Sequence, residues 1–193
     1  MYWQVYLHKT VVSAENLLIN ILRRAKELIR KGGELFATPA LLNLLSNEYS
    51  HNDFLSNDKL LDVFAALDDS DISASVKVWG NHPDKILSDL CRRLINRRLF
   101  KIILQDKPFN EIFLSETHQK ARAFLNVTES ELGYYFFQGK LINNAYNSDI
   151  DKINILYRDG TMCDIATAAD TLNIKNLSNP VEKYYLCYPE LNI

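Results

Sequence analysis

The most constraining feature is an apolar stripe near the start of the chain. Ala14, Leu17, Leu18, Ile21, Leu22, Ala25, Leu28 and Ile29 recur at spacings of three and four. That period places them along one face of an α-helix, which the pattern predicts from about Tyr2 to Lys31. Arg23, Arg24, Lys26, Arg30 and Lys31 crowd its last turns, where cations suit the negative end of the helix dipole, and Gly32-Gly33 stops it. So long an amphipathic helix needs an apolar partner, and the next 65 or so residues supply further helical patterns. Thr38-Pro39 reads as an N-cap with proline at the first helical position, opening a helix through Leu45. A third helix is expected to start near Asn57 and to bury Leu60, Leu61, Phe64 and Leu67. Asp68-Asp69-Ser70 breaks it and caps a fourth, Asp71 to Trp79, with Ile72, Val76 and Trp79 inward. Gly80-Asn81-His82-Pro83 turns the chain into a fifth, Asp84 to Arg98, whose core face is Ile86, Leu87, Leu90, Cys91, Leu94 and Ile95.

The pattern then changes. Leu99 to Leu104 is short and rich in β-branched and aromatic residues, and reads as a strand. A helix is predicted from Phe109 to Leu125, and Thr128-Glu129-Ser130-Glu131 fits a capping box. Tyr134 to Phe137 reads as a strand. Ile153–Tyr157 and Met162–Ile165 flank Asp159-Gly160, a strong hairpin signal, and Glu182–Tyr188 forms a last strand before Pro189. The expected fold class is therefore α+β: a predominantly helical block, 1–98, followed by a smaller α+β block with an antiparallel sheet, 99–193.

Composition excludes several classes of function. With 24% charged residues, 11% aromatic residues and a net charge of -2, the chain is neither low-complexity nor basic enough to expect a nucleic-acid backbone as partner. No apolar run approaches the ~20 residues a bilayer span requires. Met1 to Lys9 lacks the basic and apolar regions of a signal peptide. Cys91, Cys163 and Cys187 are odd in number and widely spaced, as expected of reduced thiols in a cytoplasmic protein.

Candidate chemistry is sparse. His8, His51, His82 and His118 lie far apart, none is followed by Asp, and no metal site made by this chain alone is expected. Asp68, Asp69 and Asp71 could hold a cation, but at a helix start they more simply cap free amides. No motif for a serine or cysteine nucleophile, and no phosphate-cradling glycine loop, is present. Two groups stand out. Tyr6, His8 and Lys9 could stack on a base and pair with phosphate, or form a solvated helix end. Arg92, Arg93, Arg97, Arg98 and Lys101 could bind an anion, or simply complement a helix C-terminus.

Several segments resemble a known family. Met1-Tyr2-Trp3-Gln4-Val5-Tyr6-Leu7-His8-Lys9-Thr10 resembles the stretch just after the last metal-binding aspartate of HD-domain phosphohydrolases, with deoxynucleoside triphosphate triphosphohydrolases as the nearest well-known group. Phe36–Leu41, Leu67–Trp79, His82–Leu87 and Asn96–Lys101 resemble the helices that follow in that family, and Lys183–Pro189 resembles the C-terminal region of bacterial members. The resemblance implies that the chain corresponds to the region after the catalytic core, with the divalent metal and the His-Asp dyad held by that missing N-terminal HD region. No His-Asp dipeptide occurs here, so the chain is expected to be inactive alone and to bind no cofactor by itself. By the same resemblance, Tyr6, His8, Lys9, Arg97 and Lys101 are nucleotide-binding positions. The implied partners are the catalytic region, nucleotide and further copies of the chain. The alternative is a stand-alone, non-enzymatic interaction module.

Overall fold

A computed structural model describes residues 8–143, 153–164 and 181–190. Helix α1 spans Lys9–Arg30, α2 Pro39–Ser46, α3 His51–Ser56, α4 Asp58–Ala65, α5 Asp69–Trp79 and α6 Lys85–Ile95. After strand β1 (Lys101–Gln105) come α7 (Glu111–Leu125), α8 (Glu129–Leu132), β2 (Phe137–Asn143), β3 (Asn154–Leu156), β4 (Met162–Asp164) and β5 (Val181–Tyr188). The α+β class is as the sequence indicates. No helix among the described residues is long and apolar enough to cross a membrane.

The apolar stripe of α1 is the centre of the helical layer. Leu17, Ile21 and Ala25 are fully buried against Leu87, Leu90 and Cys91 of α6 and share a core with Val76 and Trp79 of α5. Trp79 satisfies its indole N–H by donating to the Phe36 carbonyl at 2.8 Å. Truncating such a side chain typically costs about 3–5 kcal/mol.

Strand β5 lies between β1 and β2, antiparallel to both. Cys187 is opposite Ile102 on one side and Phe137 on the other, and this inner row joins the helical core. One continuous cluster therefore includes Leu17, Phe100, Ala121, Tyr135 and Cys187, drawing on segments before and after residue 99. The β3–β4 hairpin forms where Asp159-Gly160 predicts it, with Gly160 at φ +84°.

Three expectations are corrected. Leu61 and Phe64 are exposed, at 46% and 56%, because the segment forms two short helices and only Leu60 of α4 is buried. Ile95 is 45% exposed, being the last helical residue before the chain turns away. Tyr134 and Tyr135 form a turn rather than a strand. The amides of Tyr134, Tyr135 and Phe136 are taken by the carbonyls of Glu131 and Leu132 at the end of α8, so pairing begins only at Phe137. The Tyr2–Leu7 part of the first expected helix lies outside the described residues.

Candidate functional site

Residue His8 caps α1, its Nδ1 accepting from the Thr10 amide at 3.3 Å. Lys9 follows, exposed on the first turn. Four residues on, and so on the same face, Ser13 is buried and its hydroxyl donates to the Phe100 carbonyl at 3.0 Å. Asn16 accepts from the Tyr185 hydroxyl at 3.1 Å. These two polar residues stitch the start of α1 to the sheet, beside Lys101, the first residue of β1. The sequence reading passed over both; the available signal was a polar pair, Ser13 and Asn16, bordering the apolar stripe.

The basic run divides into structural and free members. Arg93 is half-buried, bonds Asp89 at 2.8 Å, and holds its guanidinium 5.7 Å from the Phe100 ring centre and 5.9 Å from that of Tyr135. It supports the core. Arg97, Arg98 and Lys101 are exposed and make no ion pair among the described residues. The Lys101 ammonium lies 5.9 Å from the Tyr188 ring centre.

Arg97 has φ +54°. Its amide bonds the Leu94 carbonyl at 3.2 Å and the Arg98 amide bonds that of Arg93 at 2.8 Å. This is a Schellman ending with arginine at the left-handed position that glycine normally fills. The Ser13–Phe100 bond joins the second turn of α1 to the residue before Lys101. Tyr6 lies outside the described residues. Lys9, Arg97 and Lys101 are exposed cations. The Cys91 and Cys187 thiols are pushed up to about 12 by burial, which keeps them protonated and inert.

Among the described residues, no group of three or more His, Cys, Asp or Glu side chains could hold a metal ion. His82 Nδ1 accepts from the Asp84 amide at 3.0 Å, and His118 Nε2 lies 3.1 Å from Glu129, with its ring edge-on to Phe136. The acidic cluster caps α5: Asp68 accepts from the amides of Ser70 (2.7 Å) and Asp71 (3.2 Å), and Asp71 accepts from that of Asp68 (2.8 Å).

A set of linked charged contacts lies further along α1. Arg24 forks onto Asp84, with Nε to Oδ1 at 3.1 Å and Nη2 to Oδ2 at 2.7 Å, and bonds Glu27 at 2.9 Å. Asp84 also caps α6 through the Leu87 amide at 2.8 Å. The Tyr134 hydroxyl donates to Glu27, and the Arg23 guanidinium sits 4.5 Å over the Tyr134 ring. Burial pushes the Asp84 carboxyl up, but the bonds from Arg24 and the Leu87 amide outweigh it and hold it below its usual range. Lys31, then Tyr134, hold Glu27 down at about 2. This clasp fixes α6 against α1 and the α8–β2 turn, and so fixes where Arg97 emerges.

Comparison with known proteins adds three findings. No protein-family model matches the chain. The chain is 47% identical to a phosphohydrolase of Bacteroides thetaiotaomicron whose crystal structure it matches over 98% of its length, with a TM-score of 0.80; the match covers 47% of that protein. It is also 40% identical over 104 residues to the uncharacterized protein YwfO of Bacillus subtilis, covering 53% of this chain and 22% of YwfO. The chain therefore spans about half the length of the solved phosphohydrolase and under a quarter of the curated relative.

Proposed function

We propose that this chain acts within an HD-type nucleotide phosphohydrolase as the non-catalytic half. In this reading it lies C-terminal to the metal-binding core, completing the substrate pocket and the subunit contacts. The observation that carries this reading is the 47% identity to a phosphohydrolase over 98% of the chain, with the match accounting for 47% of that longer protein. The free cations are consistent with it. Lys9, Arg97 and Lys101, with Tyr6 and His8, would contact the nucleotide, the lysines and arginine through charge-assisted bonds to phosphate. In this reading the divalent metal that polarises a phosphoryl group would be held by the partner region.

The test is an assay of the chain itself. Purified protein is incubated with each deoxynucleoside triphosphate plus magnesium or manganese, and release of phosphate and of tripolyphosphate is followed. The expected result is no turnover above buffer. Metal-dependent turnover that co-purifies with the chain through further columns would overturn the reading.

A further inference from the structure

The outer face of the three-stranded sheet carries a cavity that the nucleotide reading does not use. Tyr185 and Cys187 of β5 join the helical core, so Tyr184 and Leu186 point to the opposite face, where Leu186 is fully buried. Lys140 of β2 is paired with Tyr184, and Gln138 with Leu186, which puts both on that outer face. Gln138, Lys140 and Tyr184 line a cavity of about 350 Å³ together with Phe109, Glu111 and Leu114 at the start of α7.

Its body is apolar and its polar groups carry opposite charges. Phe109, Leu114 and Tyr184 are each half-buried. The Phe109 ring is stacked on Phe113, with centres 6.2 Å apart and planes 19° from parallel, so its orientation is set by its own neighbour. A volume at the small end of ligand sites admits one ring with a short polar tail. Lys140 and Glu111, both exposed, bring an ammonium from the strand and a carboxylate from the helix. The Lys140 ammonium lies 5.1 Å from the Tyr184 ring centre, and its pair with exposed Glu182, at 3.4 Å, is of the kind that is easily exchanged. Glu111 makes no ion pair among the described residues. A plain anion at this cavity meets Glu111 and a plain cation meets Lys140; a zwitterion satisfies both.

We propose that the cavity binds a free α-amino acid with a single aromatic ring, phenylalanine or tyrosine. The ring packs against Phe109 and Tyr184. The α-carboxylate accepts from the Lys140 ammonium, and the α-ammonium donates to the Glu111 carboxylate, both as charge-assisted bonds. The inference is independent of the phosphohydrolase reading, because it shares no residue with the nucleotide positions and its readout is binding rather than turnover.

Titrating L-phenylalanine and L-tyrosine into the full chain while following backbone amide shifts tests it. Saturable shifts centred on residues 109–114, 138–140 and 184 are expected for at least one of them, with a dissociation constant of about 1 mM or below. Phenethylamine, which lacks the carboxylate, and phenyllactate, which carries a hydroxyl for the ammonium, should each bind at least about tenfold more weakly. Lys140→Met should weaken amino-acid binding at least about tenfold without weakening phenethylamine binding. Glu111→Gln should weaken it similarly without weakening phenyllactate binding. Both side chains are exposed, so circular dichroism should be unchanged, and the crossed pattern separates charge recognition from a loss of fold. No shifts with either amino acid at about 10 mM, analogues that bind as tightly as the amino acids, or both variants binding like the wild type would each overturn the proposal.

Discussion

Two helices of this protein end in the same hydrogen-bonded turn with different residues at the left-handed position. Helix α1 ends with Gly32 at φ +84°, with the Gly33 amide bonding the Leu28 carbonyl and the Gly32 amide bonding that of Ile29, both at 2.9 Å. Helix α6 ends with Arg97 at φ +54°. An L-residue in this conformation costs roughly 1–2 kcal/mol, while glycine avoids the steric part but surrenders roughly 0.5–1 kcal/mol of chain entropy. Arg97→Gly should therefore stabilise the chain by about 1 kcal/mol, raising Tm by roughly 2–4 °C at this length. Arg97→Ala keeps the Cβ and should be near neutral. Gly32→Ala should cost about 1 kcal/mol from the backbone alone, because nothing lies within 4 Å of the added Cβ. Urea unfolding followed by circular dichroism measures all three. If Arg97→Ala stabilises as much as Arg97→Gly, or Arg97→Gly destabilises, backbone strain is not what arginine costs here.

Three further outcomes follow from the packing. Because Glu27 and Asp84 are held below their usual range in the folded state, their contribution is present above the unfolded carboxylate range and is lost as pH falls from about 4 towards 2; Glu27→Gln should flatten the fall of Tm over that window. Gly139→Ala would place a Cβ 2.6 Å from the Tyr185 hydroxyl and 2.7 Å from its ring, and should cost about 1–3 kcal/mol, whereas Gly133→Ala, 3.8 Å from its nearest neighbour, serves as a mild control; equal unfolding midpoints would contradict the clash. Of the three thiols, only Cys163 is not buried, so a maleimide should label one cysteine in the native protein and three in denaturant; rapid native labelling of Cys91 or Cys187 would contradict their burial.

Features set by local chemistry were legible in the sequence. The α1 stripe, the Asp68 cap and the Asp159-Gly160 turn each depend on residues within a few positions of one another. What failed depended on distant partners. Tyr134 and Tyr135 have strand-forming side chains, but α8 takes their amides, Tyr134 is drawn to Glu27, and Tyr135 packs edge-on to Phe100. The Arg24–Asp84 fork joins residues 60 apart, and nothing in their local sequence announces it. At the candidate site, the basic run was visible, but its division into a core-supporting Arg93 and exposed Arg97 and Lys101 required Asp89, Phe100 and Tyr135 in place. The left-handed Arg97 had no signal at all, since the usual marker of that turn is the glycine it lacks.

The central claim, that the start of α1 and the α6–β1 connection together contact nucleotide phosphate, is tested most directly by titrating dATP or dGTP while following backbone amide shifts. The account predicts saturable shifts in the roughly millimolar range near Lys9, Arg97 and Lys101, as expected of a half-site that retains only part of the contacts. Lys9→Ala and Arg97→Ala should each weaken them, and 0.5 M salt should abolish them through screening of exposed charges. An absence of shifts at millimolar nucleotide, or shifts indifferent to both substitutions, would contradict it.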